Sequence, residues 1–230
     1  MKYEIIIPTL GKSFLNNCMN AIHKYTTKDA SIHLIRKGST WAEAVNIGIN
    51  KYPKDDIILM DDDVAVREGW LDNIEKYKED ADIIAWTLMR PNGLIQFSGC
   101  YFYKEDGNYV MGNYNNKLRT PRNTPNASTS CIYIKRKVFD KIGVLNNETY
   151  KNGYHYEDSD FCMRAKKSGF KIIVVPELVW HLVTATKKHI KGFFPGVAHN
   201  GRIFYRKLND DKEYLKQLED EGFVKNEDGY

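Results

Sequence analysis

No stretch of this chain is long and apolar enough to cross a bilayer, which takes about 20 consecutive apolar residues. The opening run Ile5-Ile6-Ile7 is stopped by Pro8 and is too short for the apolar region of a secretory signal. The four cysteines, Cys18, Cys100, Cys131 and Cys162, stand far apart with no C-x-x-C pair. That spacing argues against a zinc site and for buried free thiols in a reducing compartment. Internal repeats and low-complexity segments are also lacking. These absences point to a cytoplasmic globular protein, with peripheral membrane contact left open. Its 230 residues suffice for one sizeable core or two small ones. Neither sign of charge dominates. A net charge of +4 suits a nucleotide diphosphate, a nucleic acid or an anionic lipid surface, without choosing among them.

What the chain does have is Ile57-Ile58-Leu59-Met60 running into Asp61-Asp62-Asp63-Val64. A short apolar run of this kind forms a buried strand, and here it delivers three adjacent carboxylates. Crowded carboxylates repel and desolvation adds to the penalty, so some protonate or meet a cation. In open α/β sheets the carboxyl ends of strands are where ligands sit. A divalent metal site is the simplest reading. The plainer alternative has one Asp capping a helix near Gly69-Trp70-Leu71, with the other two solvated.

Periodicity organises the rest. Strands are expected at 3–7, ended by Pro8, and at 31–35; a helix carries Phe14, Cys18 and Ile22, with Ser13 as its cap. Thr40-x-x-Glu43 is a capping box opening a helix with Trp41, Val45 and Ile49 on one face. Alternating strands and helices imply a parallel sheet with right-handed crossovers. After a strand at 82–86, residues 99–103 and 108–111 flank the hairpin turn Glu105-Asp106-Gly107. Residues 113–126 read as a long polar loop, 129–134 as a strand, and 138–142 as a short helix closed by Gly143. A helix follows at 158–168, then a strand at 170–175 broken by Pro176, then Leu178-Val179-Trp180-His181. A basic, aromatic stretch runs from Lys187 to Lys207, and residues 209–230 look like a solvated charged helix with a frayed end.

The order of these motifs resembles the family-2 glycosyltransferases of GT-A fold. Ile5-Ile6-Ile7-Pro8-Thr9-Leu10 is similar to that family's first strand and turn. Met60-Asp61-Asp62-Asp63 with Gly69-Trp70-Leu71 resembles its DxD motif and trailing element. Tyr156-Glu157-Asp158-Ser159-Asp160-Phe161 resembles the "ED" signature that opens the acceptor-side helix. Val179-Trp180-His181 resembles the closing segment whose His completes a metal site, and Asn200 to Lys207 a common tail helix. The resemblance implies an α/β GT-A domain over 1–208, with a donor-nucleotide half (1–98), an acceptor half (99–208), a small antiparallel hairpin element and a charged tail (209–230).

It also implies an inverting, metal-dependent transfer of a sugar from a nucleotide-diphosphate sugar to an acceptor hydroxyl. Asp61, Asp63 and His181 would hold Mn²⁺ or Mg²⁺, a carboxylate and imidazole set suited to such ions. Asp158, paired with Glu157, would be the general base. Donor contacts are expected from Pro8, Thr9, Leu10, Arg36, Gly38, Asn46, Asp62, Lys187 and Arg202, and acceptor contacts from Trp180 and Tyr156. Lys188 and Arg206 join the basic segment that would close over the diphosphate. One departure stands out: where the family carries an acidic pair before Gly-Ser, this chain has Arg36-Lys37-Gly38-Ser39. Either backbone groups read the base, or the nucleotide is unusual, or these cations meet phosphate. Surface glycan, lipid-linked sugar and glycoprotein are the expected acceptors, with a modified nucleic-acid base as the minority case.

Asp61-x-Asp63 after an apolar strand also resembles the haloacid-dehalogenase nucleophile motif. Two strands precede it here, however, and Glu157-Asp158 follows a polar stretch instead of a strand. A nucleotidyltransferase and a non-catalytic binding module of the same fold are the other rivals.

Overall fold

A computed structural model describes residues 2–11, 14–150, 155–182 and 193–225, with the backbone alone at Phe193. The N-terminal half alternates as expected: β1 (Tyr3–Pro8), α1 (Phe14–Tyr25), β2 (Ala30–Ile35), α2 (Trp41–Lys51) and β3 (Ile57–Met60). Thr40 caps α2 by accepting from the Glu43 N–H at 3.1 Å, and the Glu43 carboxylate accepts in return from Ser39. Gly48 lets α2 lie flat on the sheet: a Cβ there would stand 2.5 Å from Ile6 Cγ2. The proposed cap Ser13 lies outside the described residues.

Then come β4 (Val64–Ala65), α3 (Asp72–Tyr77), β5 (Ile83–Met89), β6 (Ile95–Phe97), β7 (Cys100–Glu105) and β8 (Asn108–Asn113). β9 (Arg122–Asn123), β10 (Cys131–Ile134), α4 (Arg136–Ile142), α5 (Glu157–Lys167), β11 (Ile172–His181), α6 (Phe193–Asp210), α7 (Lys212–Asp220) and β12 (Val224–Lys225) complete the chain. The main sheet runs β2-β1-β3-β10-β5-β11-β4, with β6 on β5 and β9 on β11. β1 pairs parallel with β2 and β3, and β5 with β11, while β10 is antiparallel to both its neighbours. β1, β3, β5 and β10 are buried along their whole length, as a sheet covered on both faces requires. The expected α/β class with a mainly parallel sheet is thus found.

Three local expectations change. Pro176 does not end its strand. β11 continues through it, with a register shift between Val175 and Leu178 against β5. Pro lacks a ladder donor, and a bulge is one of the few strand positions that tolerates it. The long polar loop is braced by β9, which pairs antiparallel with β11, and Thr124 and Asn126 are buried. The C-terminal helix is not simply solvated. Tyr214, Leu215 and Leu218 of α7 pack with Phe102, Met163, Phe204 and Leu208 into a second core. β12 joins β7 and β8 in a three-stranded sheet beside it.

The hairpin turn is as the sequence suggests. Asp106 and Gly107, with φ of 49° and 75°, link two strands paired from Cys100↔Asn113 to Glu105↔Asn108. The four cysteines are buried and unbridged. Among the described residues no helix is long and apolar enough to cross a membrane.

Leu218→Ala separates a packed α7 from a solvated one. The packed position should lose about 2–5 kcal/mol in a urea unfolding curve, whereas a solvated one would shift by roughly 0.5 kcal/mol or less.

Candidate active site

β3 ends at Met60, and the chain turns sharply, with the Val64 N–H donating to Asp61 O and the Asp61 N–H to Ser130 O. β4 then pairs antiparallel with the end of β11, in register Val64↔His181 and Ala65↔Trp180. The Leu182 N–H donates to Asp63 O one step further on. This short ladder carries the imidazole to the aspartates across more than a hundred residues of sequence. His181 Nε2 lies 3.3 Å from Asp63 Oδ1 and 3.9 Å from Asp61 Oδ2. One ligand atom each from Asp61, Asp63 and His181 falls within 4.8 Å of the others. A single cation can therefore be reached by all three.

The surrounding groups orient these ligands. Trp41 Nε1 donates to Asp61 Oδ1 at 2.9 Å, which leaves Oδ2 toward His181. His181 Nδ1 lies 2.9 Å from Gln96 Oε1. With Nδ1–H given to that carbonyl, a neutral ring keeps its Nε2 lone pair on the aspartate side. Burial, then the Asp63 charge, pushes the Asp61 carboxyl up to about 6, against pulls from His181, Ser130 and Trp41. Burial also raises Asp62, which takes a hydrogen bond from the Thr9 hydroxyl. These carboxylates are held in the state a cation relieves.

Asp62 and Thr9 thus join the end of β1 to the Asp tip. Pro8 and Thr9 are buried, while Leu10 is 67% exposed beside them. Arg36 and Lys37 are exposed at the end of β2, before Gly38, whose φ of +116° and contact with the Ala44 backbone demand glycine. Asn46 is otherwise engaged. Its amide donates to Leu145 O at 2.8 Å and accepts from the Leu145 N–H at 3.0 Å. Lys187 and Lys188 lie outside the described residues, and Arg202 and Arg206 are exposed on α6.

The second carboxylate pair opens α5. His155 and Tyr156 both sit at positive φ, 65° and 74°. Left-handed backbone in ordinary L residues costs about 1–2 kcal/mol each. Such strain persists where neighbours fix it, often at functional sites. Here the Asn200 amide donates to His155 O at 3.2 Å, and the Tyr156 ring lies against Gly201, Phe204 and Tyr205 of α6.

Asp158 Oδ1 accepts from the Ser159 N–H at 2.8 Å, so this carboxylate also serves the helix start. Glu157 is buried, and its Oε2 has no hydrogen-bond partner among the described residues. Burial first, then Asp158 and more weakly Asp61, push Glu157 up to about 8, against a pull from a backbone N–H. Burial likewise raises Asp158, against a pull from His155. The segment from Asn126 to Ser130 joins the two clusters: the Asn126 amide faces Ser159 Oγ at 3.4 Å, and Ser130 serves Asp61.

Asp160 does more than complement the helix dipole. Fully buried, it pairs with Arg164 at 2.8 Å and with Lys207 of α6, while Arg164 also reaches Val144 O. Trp180 is half-buried beside His181. Sequence reasoning missed Gln96, Ser130 and His155, and read Trp41 as a core residue. None of these four carries a motif, since their roles come from tertiary contacts between elements distant in sequence.

A family profile described as glycosyl transferase family 2 matches residues 5–143. No curated protein sequence matches the chain. Among solved structures, A197 from STIV aligns with a TM-score of 0.51 at 16% identity, over 80% of this chain and 86% of that one. S. aureus TarS 1-349 aligns with a TM-score of 0.55 at 12% identity, over 94% and 73%. The same S. aureus protein in complex with UDP-GlcNAc gives 0.57 at 11% identity, over 92% and 72%.

Glu157→Gln tests the buried pair through stability. A carboxyl raised from 4.5 to about 8 binds its proton more tightly folded than unfolded, so it erodes stability as pH rises through that window. Thermal melts should show the Gln variant gaining on the parent from pH 5 to pH 8, with little difference at pH 4. A constant offset across that range would contradict a buried, proton-holding Glu157.

Proposed function

The chain belongs to glycosyl transferase family 2, and from that premise we propose an inverting, metal-dependent transfer of a sugar from a nucleotide-diphosphate sugar to an acceptor hydroxyl. One observation carries the reading: Asp61, Asp63 and His181 present three ligand atoms within 4.8 Å at the carboxyl end of β3. The UDP-GlcNAc held by the S. aureus neighbour supports the donor class. The phosphatase alternative lapses with the family.

The donor set fits the strand ends. Asp61, Asp63 and His181 would hold Mn²⁺ or Mg²⁺, which would neutralise charge on the diphosphate as the glycosidic bond breaks. Thr9, fixed to Asp62, sets the turn on which Pro8, Leu10 and Asp62 meet the nucleoside. Gly38 admits close backbone approach, and Arg36 offers its charge to phosphate. Arg202 and Lys187 belong to the basic segment proposed to close on the diphosphate.

On the acceptor side Asp158 takes the proton of the attacking hydroxyl. The hydroxyl oxygen forms its bond to the anomeric carbon from the face opposite the diphosphate. The old carbon–oxygen bond breaks with its electron pair going to the leaving phosphate, so configuration inverts. Glu157, its neighbour, keeps the pair from carrying two charges until substrate binds. Trp180 and Tyr156 flank the position the acceptor would take.

A thermal-shift panel of nucleotide sugars with and without Mn²⁺ tests the donor half. One nucleotide class should stabilise the protein only with metal, and Asp61→Ala or Asp63→Ala should abolish that shift. Asp158→Asn should keep the shift and reduce transfer by about 10²–10⁴-fold. Transfer at the parental rate would remove Asp158 from the role of base.

A further inference from the structure

The small sheet has an inner face in the second core and an outer face that the proposed reaction does not use. Pairing places Tyr101 opposite Gly112, Tyr103 opposite Val110, and Lys225 beside Tyr103. Strand alternation puts Tyr101, Tyr103 and Lys225 on the face opposite buried Phe102. Tyr101 and Tyr103 are half-buried, with ring centroids 6.1 Å apart. Tyr114 continues the row, 4.8 Å from Tyr101. Gly112 is the floor on which the Tyr101 ring lies: a Cβ there would meet that ring at 2.6 Å.

This row does not stop at the hairpin. Tyr205 of α6 contacts Tyr156 edge-on at 5.7 Å, and its hydroxyl faces the Tyr156 hydroxyl and the Met111 backbone of β8. The Met111 backbone that Tyr205 meets follows Val110, the residue paired with Tyr103 across the hairpin. Tyrosines therefore run from the residue two before Asp158, over the β8 edge, to the outer face of the small sheet. An acceptor whose hydroxyl reaches Asp158 would extend over them if it were a polymer.

The chemistry of the row selects among polymers. Tyrosine offers an apolar ring face and a hydroxyl, the combination that meets the C–H faces and hydroxyls of a sugar ring. A single-stranded nucleic acid needs free cations tracking its phosphates. The two cations within the row, Arg122 and Lys225, lie over its rings instead of along a phosphate path. Arg122 stacks on Tyr114 at 3.8 Å while bonding Ser98 O and Asn116, and Lys225 lies 4.8 Å from Tyr101 and 4.6 Å from Tyr114.

We propose that Tyr156, Tyr205, Tyr103, Tyr101 and Tyr114 form an extended acceptor track for a linear glycan of several sugar units. The proposal rests on the glycosyltransferase reading and specifies its acceptor.

The test uses the full chain on an array of immobilised linear oligosaccharides, neutral and anionic, from two to eight units, beside an oligothymidylate of twelve residues. At least one glycan should retain the protein, more tightly as length grows. Tyr101→Ala and Tyr103→Ala should each weaken retention at least tenfold, while Tyr101→Phe and Tyr103→Phe, which keep the ring, should retain most of it. The metal-dependent shift with nucleotide sugar should be the same in all four, which separates a failed track from a failed donor site or a failed fold. Retention by no glycan, equal retention by the Ala variants, or tyrosine-dependent retention by the oligothymidylate alone would each overturn the track.

Discussion

Three adjacent carboxylates at the end of a buried strand are costly to hold close together, and much of the molecule is arranged around that constraint. Asp61 gives one oxygen to an indole and turns the other inward. Asp62 is tied to Thr9, and Asp63 faces an imidazole 3.3 Å away. Separate partners keep the three side chains from collapsing onto one another. Without a cation the cost is visible in the raised carboxyls of Asp61 and Asp62, where burial is the largest contribution.

The same economy of contacts joins the two carboxylate clusters. The aspartates follow β3, and the Glu157-Asp158 pair opens a helix more than ninety residues later. The polypeptide from Asn126 to Ser130 touches both, and β10 then runs back between β3 and β5. An antiparallel strand inserted in a parallel sheet is thus the element that fixes the distance between the Asp61, Asp63 and His181 cluster and the Glu157-Asp158 pair. α6 contributes from the other side, through Asn200, Gly201 and Lys207, which respectively hold the His155 carbonyl, the Tyr156 ring and Asp160.

Local signals made most of this legible in advance. The capping box at Thr40, the Asp-Gly turn and the apolar run at Ile57 each act within a few residues, and each was found where its chemistry puts it. The Asp61, Asp63 and His181 grouping was legible only through motif order, because nothing local links residue 181 to residue 61. Gln96 and Trp41 were not legible as ligand-orienting groups. A glutamine on a three-residue strand carries no pattern, and a tryptophan on an apolar helix face reads as core. Pro176 misled because its usual effect in a strand interior is termination, and tertiary pairing overrode it. Residues 209–225 misled because charge dominates their composition, while three apolar side chains at helical spacing were enough to bury one face of α7.

The irregularity at Pro176 acts as a phase adjuster. Upstream of it, β11 is a core strand; downstream, its last residues meet β4 and the aspartates. Side chains alternate along a strand, so the parity of residues between Val175 and His181 decides which way the imidazole points. The extra length taken up at the bulge lets one strand satisfy two unrelated environments. Pro176 and Glu177 are the slack: they leave the ladder so that Leu178 to Trp180 can rejoin β5 at Thr87 to Met89, and one continuous strand serves as both wall of the core and arm of the site.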